Sequence, residues 1–132
     1  MHNRKEPDYT DFIADFLKDM QETIDIAKKA GIADENIILD PGVGFGKTYE
    51  NNLEIINKLE CMHTLGYPIL LGTSRKSVIG LTLNLPVTER VEGTLVTTMF
   101  GVQKGCMFVR VHDVKENVRT IKMCEAILNS SN

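Results

Sequence analysis

Leu70-Leu71-Gly72-Thr73-Ser74-Arg75-Lys76-Ser77-Val78-Ile79-Gly80 is the stretch on which the fold turns. The apolar run Ile69 to Leu71 has the length and composition of a buried parallel strand, and Gly72 ends it. Thr73, Ser74, Arg75, Lys76 and Ser77 then stand at the strand's carboxyl end, where α/β sheets bind ligands. Two cations and three hydroxyls suit a planar polar ring or an oxyanion such as phosphate or carboxylate. Composition alone equally allows a solvated loop that joins a strand to a helix.

On either side the chain alternates. Upstream, Ile13, Leu17, Met20, Ile24 and Ala27 form one helical stripe from Asp11, capped by Thr10 or Asp8 and stopped at Gly31. A strand Asn36-Ile37-Ile38-Leu39 follows and ends in Asp40-Pro41-Gly42. A helix from about Asn51, with Glu54 completing a capping-box pair, runs along Ile55, Leu59 and Met62 to Gly66. Pro68 to Leu71 is the second strand, and Val78 to Leu83 a helical turn. A helix opened by Thr88 follows Val91, Leu95, Met99 and Val102 to Gly105. The third strand is Met107 to Val111. Asp113 and Glu116 then cap a last helix along Val114, Val118, Ile121 and Leu128. Strands alternating with helices argue for a parallel sheet with right-handed crossovers. Asp40, the Ser74–Ser77 turn, Arg110 and His112 all fall at strand ends, so three strands deliver polar groups to one rim.

The chain has 132 residues, 42 % hydrophobic and 25 % charged, enough for one domain with a core. A net charge of −3 favours neither nucleic acid nor an anionic membrane, so an anion site must be a local arrangement of cations. Cys61, Cys106 and Cys124 lack metal-ligand spacing and read as reduced thiols of a cytoplasmic protein. Met1 to Asp8 does not resemble a signal peptide, and no apolar run approaches a membrane span.

Two apparent motifs fail. Gly42-Val43-Gly44-Phe45-Gly46-Lys47-Thr48 has Pro41 where a phosphate loop needs its first glycine, and Lys47 where a dinucleotide fingerprint needs its third. These glycines instead let backbone lie close to a flat ligand, with Phe45 projecting as a ligand contact or as a core anchor. His112 and Arg110, two residues apart, point to one side and fit a phosphate better than a metal. A structural salt bridge from Arg110 to Asp40 is the alternative, and Lys76 could equally be a surface lysine.

Asp40-Pro41-Gly42-Val43-Gly44-Phe45-Gly46-Lys47, Gly72-Thr73-Ser74-Arg75-Lys76-Ser77 and Arg110-Val111-His112-Asp113 together resemble the dihydropteroate synthases, the folate-pathway enzymes that sulfonamides inhibit. The resemblance runs from about Met1 to Leu128. It implies an α/β fold, the C-terminal part of a (β/α)₈ TIM barrel. About three parallel strands and four helices would form a single partial pterin-binding domain over 1–132. It implies a transferase joining 7,8-dihydropterin-6-ylmethyl diphosphate to p-aminobenzoate, with Mg²⁺, to give 7,8-dihydropteroate and diphosphate. By position, Asp40 resembles the pterin-binding carboxylate and Lys76 the lysine between pterin and p-aminobenzoate. Phe45 and Ser77 resemble the aminobenzoate contacts, and Arg110 and His112 the diphosphate-binding pair, the arginine also lying over the pterin.

Such a barrel typically takes about 250 residues, against 132 here. The expectation is therefore an isolated chain without activity. Its candidate partners are a second copy, met through the C-terminal helices, and a chain supplying the N-terminal half. Met1-His2-Asn3 would be the end of the preceding strand. Two rival readings stand beside this one: a pterin-binding domain that transfers a methyl group from methyltetrahydrofolate, and a non-catalytic oligomerising fragment.

Overall fold

The computed structural model describes residues 10–130, which fall in two compact units, Met1–Ile37 and Ile38–Asn132. The cap expected from Asp8 and the strand end expected at Met1 to Asn3 lie outside the described residues.

In the first unit, α1 spans Asp11–Lys29. The Thr10 hydroxyl accepts from the Ile13 amide at 3.2 Å, as the sequence leads one to expect. Ile13, Phe16 and Ile24 are its buried residues, and Phe16 stacks on Phe12. Lys28 and Lys29 complement the carbonyl end of the helix dipole, and Lys28 pairs with Asp34 at 3.3 Å. The strand expected from Asn36 does not form there. A 3₁₀ turn, Asp34–Asn36, occupies its start, and the Asp34 carbonyl captures the Ile37 amide.

In the second unit, three short extended segments run parallel. Leu39 bridges to Ile69, and β1 (Leu70–Leu71) pairs with β2 (Phe108–Val109), Leu70 opposite Phe108 and Leu71 opposite Val109. The ladders are shorter than the apolar runs suggest, with two residues in each named strand. Alternation divides the sheet. Leu39, Ile69 and Leu71 are buried on the helix side. There Gly101 comes close enough that a Cβ on it would stand 3.2 Å from Leu71 Cδ2. On the opposite face Ile38 is 51 % and Phe108 43 % exposed.

The second helix, α2 (Tyr49–Asn57), starts earlier than expected. Its cap is Thr48, whose hydroxyl accepts from the Asn51 amide at 3.1 Å, not the Asn51–Glu54 pair. A 3₁₀ segment, Leu59–Leu65, continues it to Gly66, and Ile55, Leu59 and Met62 are buried as the stripe predicts. The helical turn after the polar loop is α3 (Ser77–Leu83), closed by left-handed Asn84.

The last two helices overturn the expected stripes. α4 (Val91–Gln103) buries Thr94, Thr97, Thr98 and Gly101, while Met99 is exposed. The buried threonines are satisfied: Thr97 by Thr73, Thr98 by Asn117, and Thr94 by the Arg75 amide. Small side chains also let α4 lie close to the sheet. α5 (Val114–Leu128) buries Asn117 and Cys124, leaving Val114, Val118 and Leu128 in solvent. Asp113 stands at its N-cap position but makes no side-chain cap, because its carboxylate is taken by Arg75 at 3.0 Å.

All three cysteines are free. Burial pushes the thiols of Cys61 and Cys106 up to about 11, Glu60 adding to the shift at Cys61. A folded pKa above the unfolded value of about 8.5 gives stability that is fully present below pH 8.5 and lost as pH rises toward 11. The midpoint of urea unfolding should therefore fall between about pH 8.5 and 11, and less so in a Cys61→Ala/Cys106→Ala variant. Equal pH dependence in the two proteins would contradict this.

Candidate active site

Two of the three extended segments of the second unit end in a charged side chain, and the third ends in glycine. Asp40 follows Leu39, Gly72 follows β1 and Arg110 follows β2. Gly72 carries no side chain, and the Arg110 guanidinium crosses over it: a Cβ there would lie 3.6 Å from Nε. Arg110 reaches Asp40 at 3.7 Å, with the two side chains 71 % and 39 % exposed. The salt bridge considered from sequence thus exists, but at that distance and exposure it contributes about 0–1 kcal/mol to stability. One Asp40 oxygen accepts from the Gly42 amide at 2.8 Å, an Asx turn that starts the glycine loop.

That loop is held from three directions. The Lys47 ammonium donates to the carbonyls of Gly42 at 3.0 Å and Phe45 at 3.3 Å, so it staples its own loop. The buried Asn52 of α2 accepts from the Gly44 amide at 2.9 Å. Lys76 donates to the Val43 carbonyl at 2.6 Å. Gly44 has φ +95°, and its bare α-carbon leaves passage for the Lys76 stem. The result presents Phe45, 70 % exposed, with the Lys76 ammonium 4.6 Å from its ring centroid. Phe45 is therefore not the core anchor that sequence left open, and Lys76 is not a free surface lysine.

Burial lowers the Lys76 amine from its usual range, offset by Asp40 and reinforced by Arg110 and Lys47. Charges that follow the first extended segment and β2 thus act on an ammonium that follows β1. Its sense is opposite to that of the thiols. A lowered lysine costs stability below its folded pKa, a cost relieved as pH rises toward the unfolded value of about 10.4.

His112 is fixed by Ser74. Its backbone amide donates to the Ser74 hydroxyl at 3.1 Å, and Ser74 Oγ lies 2.8 Å from Nδ1. With the hydroxyl donating to Nδ1, the neutral ring carries its proton on Nε2. Ser77 is exposed at the first position of α3. Phe45, Gly72, Ser74, Lys76, Arg110, Val111 and His112 line one open cavity of about 290 Å³, with Asp40 beside it through Arg110.

Sequence reasoning placed these groups on one rim. It missed Asn52, Thr94, Arg90 and the Arg75–Asp113 pair. Asn52 carried a signal: it precedes Ile55, Ile56 and Leu59 at helical spacing, a polar residue in an apolar stripe. Among the described residues no group of three or more His, Cys, Asp or Glu side chains could hold a metal ion, and no helix is long and apolar enough to cross a membrane.

Residues 1–112 match the family model described as pterin binding enzyme. The dihydropteroate synthase of Clostridium beijerinckii is 63 % identical over 129 residues, covering 97 % of this chain and 48 % of that protein. The Bacillus subtilis enzyme of the same name is 56 % identical over 129 residues, with 98 % and 45 % covered. Among solved structures, a Clostridium difficile dihydropteroate synthase crystallised in the presence of pteroic acid superposes with a TM-score of 0.85 at 46 % identity, covering 96 % of this chain and 49 % of that one. A Yersinia pestis dihydropteroate synthase in a sulfonamide drug complex gives 0.88 at 36 % identity, with 96 % and 46 % covered. The chain spans about half the length of these relatives.

Proposed function

The chain belongs to the pterin-binding enzyme family, and from that premise we propose that it carries the diphosphate-leaving end of a dihydropteroate synthase site within the C-terminal part of a (β/α)₈ barrel. The observation that carries this reading is the convergence of Asp40, Lys76, Phe45, Arg110 and His112 around one cavity. In the proposed reaction the amine nitrogen of p-aminobenzoate bonds to the pterin methylene carbon. The carbon–oxygen bond to diphosphate breaks, and the amine loses a proton.

Each side chain has a role in keeping with its setting. The departing diphosphate gains charge, which the Arg110 fork and the His112 Nε2–H stabilise. The Asp40 carboxylate accepts hydrogen bonds from the pterin ring. Lys76 lies between the pterin and the aminobenzoate, Phe45 packs on the aminobenzoate ring, and Ser77 donates to its carboxylate. Among the described residues no group of three or more His, Cys, Asp or Glu side chains is placed to hold Mg²⁺.

The open sheet face with Ile38, Leu70 and Phe108 supports a second part of the proposal: these 132 residues do not turn over alone. The missing cover is the N-terminal half of the barrel. The exposed Met99, Met123, Ile127 and Leu128 around a groove between α4 and α5 support pairing of two copies through the C-terminal helices.

The test joins the first half of the Clostridium beijerinckii enzyme to the amino end of this chain. The joined protein is expected to form dihydropteroate from the pterin diphosphate and p-aminobenzoate, while the chain alone is expected to form none. A joined, folded protein that makes no dihydropteroate but binds methyltetrahydrofolate tightly would overturn the assignment in favour of methyl transfer.

A further inference from the structure

We propose that Arg90 is a positioning residue that fixes the Ser74–Ser77 turn, and with it the Lys76 ammonium, by clamping both ends of α3. Arg90 stands just before α4. Its Nε donates to the Leu85 carbonyl at 3.0 Å and its Nη1 to the Arg75 carbonyl at 3.0 Å. Those two carbonyls lie on either side of α3, Ser77–Leu83. A helix of two turns has little cooperative stability of its own, so its position depends on such outside ties.

Two further observations point to the same clamp. Arg75 is a non-glycine residue at φ 59°, a left-handed conformation that persists when its surroundings over-determine it. Here its carbonyl is held by Arg90, its amide by the Thr94 hydroxyl at 3.1 Å and its guanidinium by Asp113 at 3.0 Å. Gly80 sits inside α3, where glycine normally weakens a helix. A Cβ at Gly80 would collide with Cζ and Nη2 of Arg90, so the glycine keeps the guanidinium's channel open.

The Arg75 carbonyl belongs to the peptide that leads into Lys76. The turn then closes through the Lys76 amide on the Thr73 carbonyl at 3.0 Å, and the side chain ends on the Val43 carbonyl at 2.6 Å. Release of the Arg75 carbonyl therefore frees the torsion that aims Lys76. The catalytic meaning of this rests on the synthase reading; the geometry does not.

The test titrates the Lys76 amine by NMR at its labelled ε-carbon in the chain without ligand, in the parent and in Arg90→Ala, Arg90→Lys and Gly80→Ala. Asp40, Arg110 and Lys47, the charges acting on Lys76, are unchanged in all of them. The clamp predicts that in Arg90→Ala and Gly80→Ala the amine rises from its buried, lowered position to the ordinary lysine range. In Arg90→Lys, where one ammonium cannot span both carbonyls, it moves part of the way. Lys76 titrating as in the parent in folded Arg90→Ala or Gly80→Ala overturns the proposal. So does loss of helical circular dichroism in all three variants, which would make Arg90 a determinant of the whole fold. Because no ligand enters the measurement, failure of the pterin reading would leave this result standing.

Discussion

Arg110→Ala is expected to lower the rate of dihydropteroate formation by about 10²–10³, or about 2.7–4 kcal/mol of barrier, when the chain is joined to the first half of its Clostridium beijerinckii relative. The size follows from the proposed role of Arg110, a preorganised charged donor aimed at a leaving group that gains charge. The variant is informative because its structural cost is small. Arg110 is 71 % exposed, and its 3.7 Å approach to Asp40 is worth about 0–1 kcal/mol. Folding and rate are therefore separable, and thermal unfolding of the variant should match the parent. Arg110→Lys should recover a fraction of the loss, since an ammonium cannot reproduce the planar fork. A folded Arg110→Ala protein turning over at the parent rate would remove Arg110 from the chemistry.

Asn117→Ala is expected to have the largest effect on stability. Asn117 is 1 % exposed; its carbonyl accepts from Thr98 Oγ1 at 2.6 Å, and its amide donates to the Asp113 carbonyl at 2.8 Å. Truncation leaves the buried Thr98 hydroxyl without this partner, at about 1–3 kcal/mol, while the Asp113 carbonyl keeps the Asn117 backbone amide at 3.1 Å. A loss of about 1–3 kcal/mol should lower the unfolding temperature by roughly 5–10 °C. Asn117→Leu separates the causes. It refills the volume but not the hydrogen bonds, and should remain nearly as unstable. Recovery by leucine would show that packing, not polarity, is at stake there. Asp113 also holds Arg75, so the same loss should loosen the turn beside Lys76.

The sequence was most legible where a residue's role is local. Thr10, Gly31 and Gly66 do what their chemistry requires whatever surrounds them. Strand ends were legible for a related reason: a short apolar run followed by glycine or proline limits where its polar residues can stand, which put Asp40, Lys76, Arg110 and His112 together. Helix faces were not legible in α4 and α5. Periodicity assumes that the apolar side is the buried side, yet here threonines and an asparagine face the interior. They do so because each finds a partner on another element, and such pairings are not readable from one segment. Arg90 was hidden likewise: its contacts are to carbonyls, which every residue possesses. Strand length was overestimated because the apolar runs were read as whole ladders, whereas each named strand has two residues in register.

The sheet described here has a rim as well as a face. Leu39 is bonded toward β1, and among the described residues neither it nor Val109 has a ladder partner on its outer side. Backbone amides and carbonyls left in that position act as templates for any extended peptide that can lie alongside. In solution at high protein concentration, that makes zippering of like molecules into insoluble ribbons a direct competitor of correct assembly.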